Sequence, residues 1–205
     1  GVADIRIRLA YGRNGLEVDF PEQGIILVEP EFVPGLAEPE KELRECLLAP
    51  TGCGPLRDLV RPGARVAIAV CDSTRAMPSG IVLPPLLDEL EMVPDENITI
   101  LVATGTHRPS TERELEAILG PGLLRRYRVL NHVCTDRDSL VSLGSTTEGL
   151  PIVLNRIWAE SDFRITTGFV EPHFFAGFSG GPKLVAPGLA GLETVMAIHS
   201  AELIA

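Results

Sequence analysis

No Cys-x-x-Cys pair occurs in this chain, and its four cysteines, Cys46, Cys53, Cys71 and Cys134, are spaced too irregularly for a zinc framework. Reduced, mostly buried thiols are expected. No run of Lys or Arg forms a stripe, and 18 basic against 28 acidic residues leave a formal charge of -10, which excludes long-range attraction to phosphate polymers. Nucleic acid is therefore not an expected partner. The longest apolar runs, such as residues 66–71, fall far short of a bilayer span, and the first residues alternate charged with apolar side chains instead of forming a leader. A soluble, cytoplasmic protein without membrane contact is expected. Internal repeats, low-complexity tracts and linkers are also missing, so residues 1–205 are read as one domain.

What the chain does contain is core-forming. At 205 residues, with 45% hydrophobic and 22% charged side chains, it can bury most of its apolar surface and is not a disordered composition. Glycine (20) and proline (17) together exceed the roughly 12% usual share, which predicts many shaped loops, where ligand sites tend to lie. Residues 4–10 and 16–20 alternate with period two around a Gly-containing turn and predict an N-terminal β-hairpin. Pro39 followed by Leu43, Cys46 and Leu47 predicts a helix with proline in its first turn.

From Arg65 onward, short β-branched runs alternate with helical stretches. Strands are expected at residues 66–70 and 98–102, with helices near 82–92 and 112–119. Further strands are expected in 128–154, with a turn at Gly149-Leu150-Pro151, then a short helix at 155–160, a strand at 163–170 and a final helix at 193–204. The fold class is α/β: a largely parallel, Rossmann-like sheet with helices on both faces, preceded by the hairpin.

Three polar clusters each follow a predicted strand, and in an open α/β sheet the carboxyl ends of strands are where ligands bind. The first is Asp72-Ser73-Thr74-Arg75, in which Arg75 can fork onto a carboxylate or phosphate and Asp72 can orient it or accept from a substrate hydroxyl. Read alone, it is equally a capped turn with a solvated arginine. The second is Thr104-Gly105-Thr106-His107-Arg108-Pro109; Thr111 to Glu114 matches a capping box, which leaves His107 in the loop before a helix, able to exchange protons near neutrality. The third, Glu171 to Lys183, places His173 and Lys183 on either side of the Gly180-Gly181 bend. From Gly177 it departs from the phosphate-loop pattern, with Pro182 at the second glycine and Leu184 at the hydroxyl position, which disfavours an ordinary nucleoside triphosphatase. His199 lies on the final predicted helix, and His132 is read as structural or supporting. Two histidines, an arginine and a lysine at one sheet edge imply acid/base chemistry on a small acid.

These motifs, together with Pro187-Gly188, resemble the N-terminal catalytic domain of the nickel-pincer lactate racemase family. The resemblance implies a nickel cofactor, a pyridinium-3,5-bisthiocarboxylic acid mononucleotide joined covalently to Lys183, with His199 as a nickel ligand. It implies that His107 and His173 are paired acid/base residues and that Asp72 and Arg75 position a 2-hydroxy acid substrate. Thr74, Ser179, Gly180 and Gly181 would bind the cofactor. By the same resemblance, hydride leaves the substrate for the cofactor and returns to the opposite face.

Pro182 stands where that family's pattern suggests a basic residue, which removes one expected phosphate contact. The resemblance also implies a second, C-terminal domain missing from residues 1–205. Ala205 is therefore expected to be a boundary within a longer protein, and the chain to be a binding-competent half-site with little activity alone. The competing reading is a non-catalytic nucleotide-binding or interaction domain that keeps the fold.

Overall fold

The computed structural model describes residues 4–29, 31 and 33–204. They fall into two units that divide after Leu36. In the first, strands β1 (Asp4–Leu9) and β2 (Leu16–Pro21) pair antiparallel, with Ile5 opposite Phe20, Ile7 opposite Val18 and Leu9 opposite Leu16. Period-two alternation thus places every apolar pair on one face of the hairpin.

The second unit begins with helices α1 (Pro39–Leu48) and α2 (Leu56–Leu59), then strand β3 (Val66–Cys71). All six residues of β3 are buried, as expected for a parallel strand covered on both faces. Helix α3 (Ser79–Asp88), strand β4 (Ile98–Ala103), helix α4 (Glu112–Arg126) and strand β5 (Arg128–Asn131) follow. Strands β6 (Leu140–Ser145) and β7 (Pro151–Asn155) make an antiparallel hairpin across the predicted Gly149 turn, and α5 (Arg156–Glu160) leads into β8 (Phe163–Thr166). The central sheet is wholly parallel, in the order β5-β4-β3-β8. Beyond it lie the two-residue strands β9 (Pro172–His173) and β10 (Gly177–Phe178) and helices α6 (Pro182–Val185), α7 (Leu192–Ile198) and α8 (Ala201–Ile204).

The two faces of β3 carry different side chains, and each recruits its own layer. Val66, Ile68 and Val70 pack with Ile98, Ile100 and Val102 against Leu83, Leu86 and Leu87 of α3 and Leu119 of α4. Ala67 and Ala69 face the other way, and their small side chains leave room for Trp158 of α5, Leu184 of α6 and Leu189. Helices therefore cover both faces of a parallel sheet, the architecture expected from the strand–helix alternation. Among the described residues, no helix is long and apolar enough to cross a membrane.

Several expectations need correction. The strand expected at 163–170 stops at Thr166, where Thr167 turns its N–H and hydroxyl onto the Ala69 carbonyl at 2.9 and 3.0 Å. Gly168 then passes so close to Gly180 that a Cβ would sit 2.7 Å from the Gly180 Cα. The helix expected at 193–204 breaks at His199, which leaves helical geometry (φ -105, ψ 15) while its ring bonds back to the Val195 carbonyl. The helix near 82–92 lies earlier, at Ser79–Asp88, because tighter bonds from Leu90 N to Leu87 O and Val93 N to Leu90 O close the chain beyond it. Cys46 and Cys53 are exposed rather than buried, Cys46 because α1 buries no residue; Cys71 is buried and Cys134 half-buried.

Candidate functional site

The carboxyl ends of β3, β4 and β8 open on the same side of the parallel sheet, and each releases one of the polar clusters there. After β3 the chain turns through Asp72, which is buried. Its Oδ1 accepts from the Thr74 amide at 3.1 Å and the Thr74 hydroxyl at 2.5 Å, and its Oδ2 lies 2.7 Å from Nδ1 of His107. Burial alone would raise this carboxyl, but the hydrogen bonds from Thr74 and His107 together hold it below the usual aspartate value. Both oxygens of Asp72 are thus engaged by the protein.

His107 arrives from β4 by a short turn: its N–H bonds the Thr104 carbonyl at 2.9 Å, and the buried Thr104 hydroxyl donates to the His132 carbonyl at 2.5 Å. The predicted capping box forms, with Thr111 and Glu114 bonding each other's backbone, and Arg108 clamps the Glu114 carboxylate through both oxygens. The loop is therefore anchored on both sides of His107. Behind it, His132 is fully buried, with Nε2 2.9 Å from the Ala190 carbonyl, and burial pushes its imidazolium down. That is a structural histidine.

The segment leaving β8 folds on itself around Ser179. The hydroxyl donates to the Phe169 carbonyl at 2.5 Å and accepts from the Glu171 amide at 3.0 Å, while the Ser179 amide donates to the Glu171 carbonyl at 2.9 Å. Gly180 follows at φ +73, a left-handed backbone that a side chain would strain. The knot fixes Glu171, whose Oε1 accepts from Nη1 of Arg75 at 2.6 Å. Lys183 sits beyond the bend; burial lowers its ammonium pKa, and the positive charge of Arg75 lowers it further. His173 is shifted the same way, by burial first and then by Lys183 and Arg75. Its Nδ1 accepts from the amides of Phe175 and Ala176 at 3.3 and 3.2 Å.

A cavity of about 370 Å³ lies among these groups, within the range of small-ligand pockets. Asp72, Thr74, Arg75, His107, His173, Ser179, Gly180, Lys183 and His199 all line it, so side chains from all three strand ends meet. Gly181 is not in the wall; it caps α6 at φ 46. Thr74 and Ser179 direct their hydroxyls into the protein's own bonds and so contribute shape. Cys71, Phe169 and Met196 also line the cavity, and no motif in the sequence marks them as site residues; Thr106, of the second cluster, lines it too. Glu171 stood in a motif without a role, and nothing in the sequence announced a partner for Arg75 96 residues away.

His199 lines the cavity with one ring nitrogen bonded to a carbonyl of α7. Its Nδ1 lies 2.8 Å from the Val195 carbonyl, which only accepts, so Nδ1 carries the proton and Nε2 keeps its lone pair. Phe175 meets the ring edge-on, with centroids 6.1 Å apart. Among the described residues, no group of three or more His, Cys, Asp or Glu could hold a metal by itself. A metal here would take most of its donors from a bound group.

Comparison with known proteins gives a consistent set of matches. The model of the lactate racemase N-terminal domain family matches residues 11–205. The lactate racemase of Lactiplantibacillus plantarum is 43% identical over 166 residues, covering 80% of this chain and 39% of that protein. The lactate racemase of Thermoanaerobacterium thermosaccharolyticum is 34% identical over 202 residues, covering 97% of this chain and 47% of that protein. The apoprotein structure of a lactate racemase from the latter organism superposes with a TM-score of 0.82 at 34% identity, over 97% of this chain and 47% of that one. A protein of known crystal structure from Thermotoga maritima superposes with a TM-score of 0.63 at 29% identity, over 78% of this chain and 40% of that one. The chain thus spans less than half the length of these relatives.

Proposed function

The chain belongs to the lactate racemase family through that family's N-terminal domain, and on that premise we propose that its cavity serves the racemisation or epimerisation of a small 2-hydroxy acid. The observation that carries the reading is the meeting of His107, His173, Arg75 and Lys183 around one cavity from three strand ends. Inverting a carbinol carbon needs proton handling on both of its faces and a grip that survives the change of hand. Arg75 supplies the grip. One of its five N–H groups is held by Glu171, and the others remain for the substrate carboxylate. His107 supplies a base, because Asp72 keeps the proton on Nδ1 and leaves Nε2 to receive the hydroxyl proton. His173 is the second acid/base group.

The residues present fit a nickel-pincer nucleotide. Lys183 would hold it covalently, since an amine whose pKa is lowered is more often neutral and nucleophilic, and Nε2 of His199 would ligate the nickel. When bound, that group supplies the hydride acceptor and donor that no side chain provides. The chain's own residues then move the proton, orient the acid and line the cleft. Because the chain spans less than half of its relatives, we propose that it is one catalytic and cofactor-binding domain, needing groups from a second domain for full turnover.

The test is production of the chain together with the enzymes that make the cofactor, followed by intact mass, peptide mapping and nickel analysis. A covalent adduct on Lys183 with stoichiometric nickel is expected. Unmodified protein that binds a nucleotide reversibly would replace this reading with a non-catalytic nucleotide-binding module.

A further inference from the structure

The two histidines proposed as acid/base residues are held by partners of opposite kind. His107 offers Nδ1 to a carboxylate, Oδ2 of Asp72, at 2.7 Å. A carboxylate only accepts, so this nitrogen carries a proton, and in the neutral ring Nε2 is the bare lone pair. His173 offers Nδ1 to two backbone amides, of Phe175 at 3.3 Å and Ala176 at 3.2 Å. Amides only donate, so here Nδ1 is the lone pair and the proton of the neutral ring sits on Nε2. Turning the His173 ring over would set a C–H against both amides. The turn between β9 and β10 therefore selects the tautomer of His173, as Asp72 selects that of His107.

We propose that the resting cavity presents its two histidines in opposite tautomers, His107 as a proton acceptor at Nε2 and His173 as a hydrogen-bond donor at Nε2, with the amides of Phe175 and Ala176 acting as the positioning device for His173. The functional consequence rests on the 2-hydroxy acid reading. A substrate hydroxyl facing His107 can lose its proton at once: the O–H bond breaks with its electron pair left on oxygen, the N–H bond forms at Nε2, and Asp72 holds the resulting imidazolium. A hydroxyl facing His173 meets an N–H instead. That ring can act as a base only after its proton leaves Nε2 for Nδ1, and a proton on Nδ1 would confront two N–H groups. Proton transfer at His173 is therefore gated by release of the Phe175–Ala176 turn, whereas transfer at His107 is not. Conversely, a carbonyl oxygen facing His173 is met by a donor from the start. The first half-reaction should differ between the two enantiomers, while the equilibrium between them stays at unity.

The four histidines, at positions 107, 132, 173 and 199, make this directly measurable. The chain would be labelled with ¹⁵N in the imidazole rings, without cofactor, and its histidine signals assigned with His107→Gln and His173→Gln. The expected spectrum above the imidazole titration range shows His107 protonated at Nδ1 and His173 protonated at Nε2. The buried His132, protonated at Nε2 toward Ala190, reports that each variant has folded. Finding His107 and His173 in the same tautomer, or His173 averaged between its two forms, would overturn the proposal. Because no turnover is measured, opposite tautomers in a protein that never racemises a hydroxy acid would sink the functional reading alone.

Discussion

Asp72 and His107 come from different strands, 35 residues apart, yet Oδ2 of one and Nδ1 of the other are 2.7 Å apart. The other oxygen of Asp72 accepts only from Thr74, through an amide and a hydroxyl. An amide N–H cannot reverse its direction, so in Asp72→Asn the remaining carbonyl oxygen stays on Thr74 and the new NH₂ faces His107. His107 must then accept at Nδ1 and place its own proton on Nε2, which removes the lone pair from the cavity. On the proposed reading, the cofactor-loaded enzyme carrying this variant should lose roughly 10³–10⁴-fold in kcat, with KM little changed. Chiral separation of the product acids measures it; a loss below tenfold would show that Asp72 does not set the base.

Arg75 and Lys183 are linked by charge. Burial lowers the Lys183 ammonium pKa first, and Arg75 second. Removing the guanidinium relieves one of the two effects, so Arg75→Gln raises the Lys183 pKa and Glu171→Gln, which removes an opposing negative charge, lowers it. The pH at which Lys183 reaches half-maximal acylation, followed by peptide mass spectrometry, should move upward in the first variant and downward in the second. Movement in the same direction in both would show that the Arg75–Glu171 pair does not govern this amine.

Legibility from sequence followed the range of the interaction. The parallel sheet was readable because each strand declares itself locally: Val66–Cys71 is an unbroken buried run, and large side chains alternate with Ala67 and Ala69. The capping box at Thr111 and Glu114 was readable for the same reason, its partners being three residues apart. The end of β8 was not, since it depends on a tertiary contact, Gly168 against Gly180; the break before α8 is local, His199 bonding the carbonyl one turn back, but no Gly or Pro marks it in the sequence. Strand ends pointed to Asp72, His107 and Lys183. The pairings among them, Asp72 with His107 and Arg75 with Glu171, exist only once the chain is folded.

Gly168 is one of the places where that packing is tight near the site. An added Cβ would lie 2.5 Å from Cδ1 of Leu184 and 2.7 Å from Cα of Gly180. Leu184 can rotate away, but the Gly180 backbone cannot without loosening the knot at Ser179. Gly168→Ala should therefore destabilise by about 1–3 kcal/mol, at roughly 2–4 °C in Tm per kcal/mol for a chain of this size. Thermal unfolding checks the size of the loss. An unchanged Tm would show that the Gly168–Gly180 contact is not close in solution.

On the proposed reading, His199 separates metal binding from cofactor attachment. Its Nδ1 is committed to the Val195 carbonyl, so only Nε2 is available to a metal; His107 shares that arrangement through Asp72, whereas His173 has the opposite one. Lys183 lies on a different element, and on the proposed reading it would hold the organic group by a separate bond. His199→Ala, produced with the cofactor machinery, should keep the Lys183 adduct in intact mass but lose nickel on dialysis against a mild chelator, while the unaltered chain keeps both. Lys183→Ala should lose both together. Retention of nickel by His199→Ala at the level of the unaltered chain would mean that another donor completes the metal site and that the Val195–His199 bond serves only to end the helix.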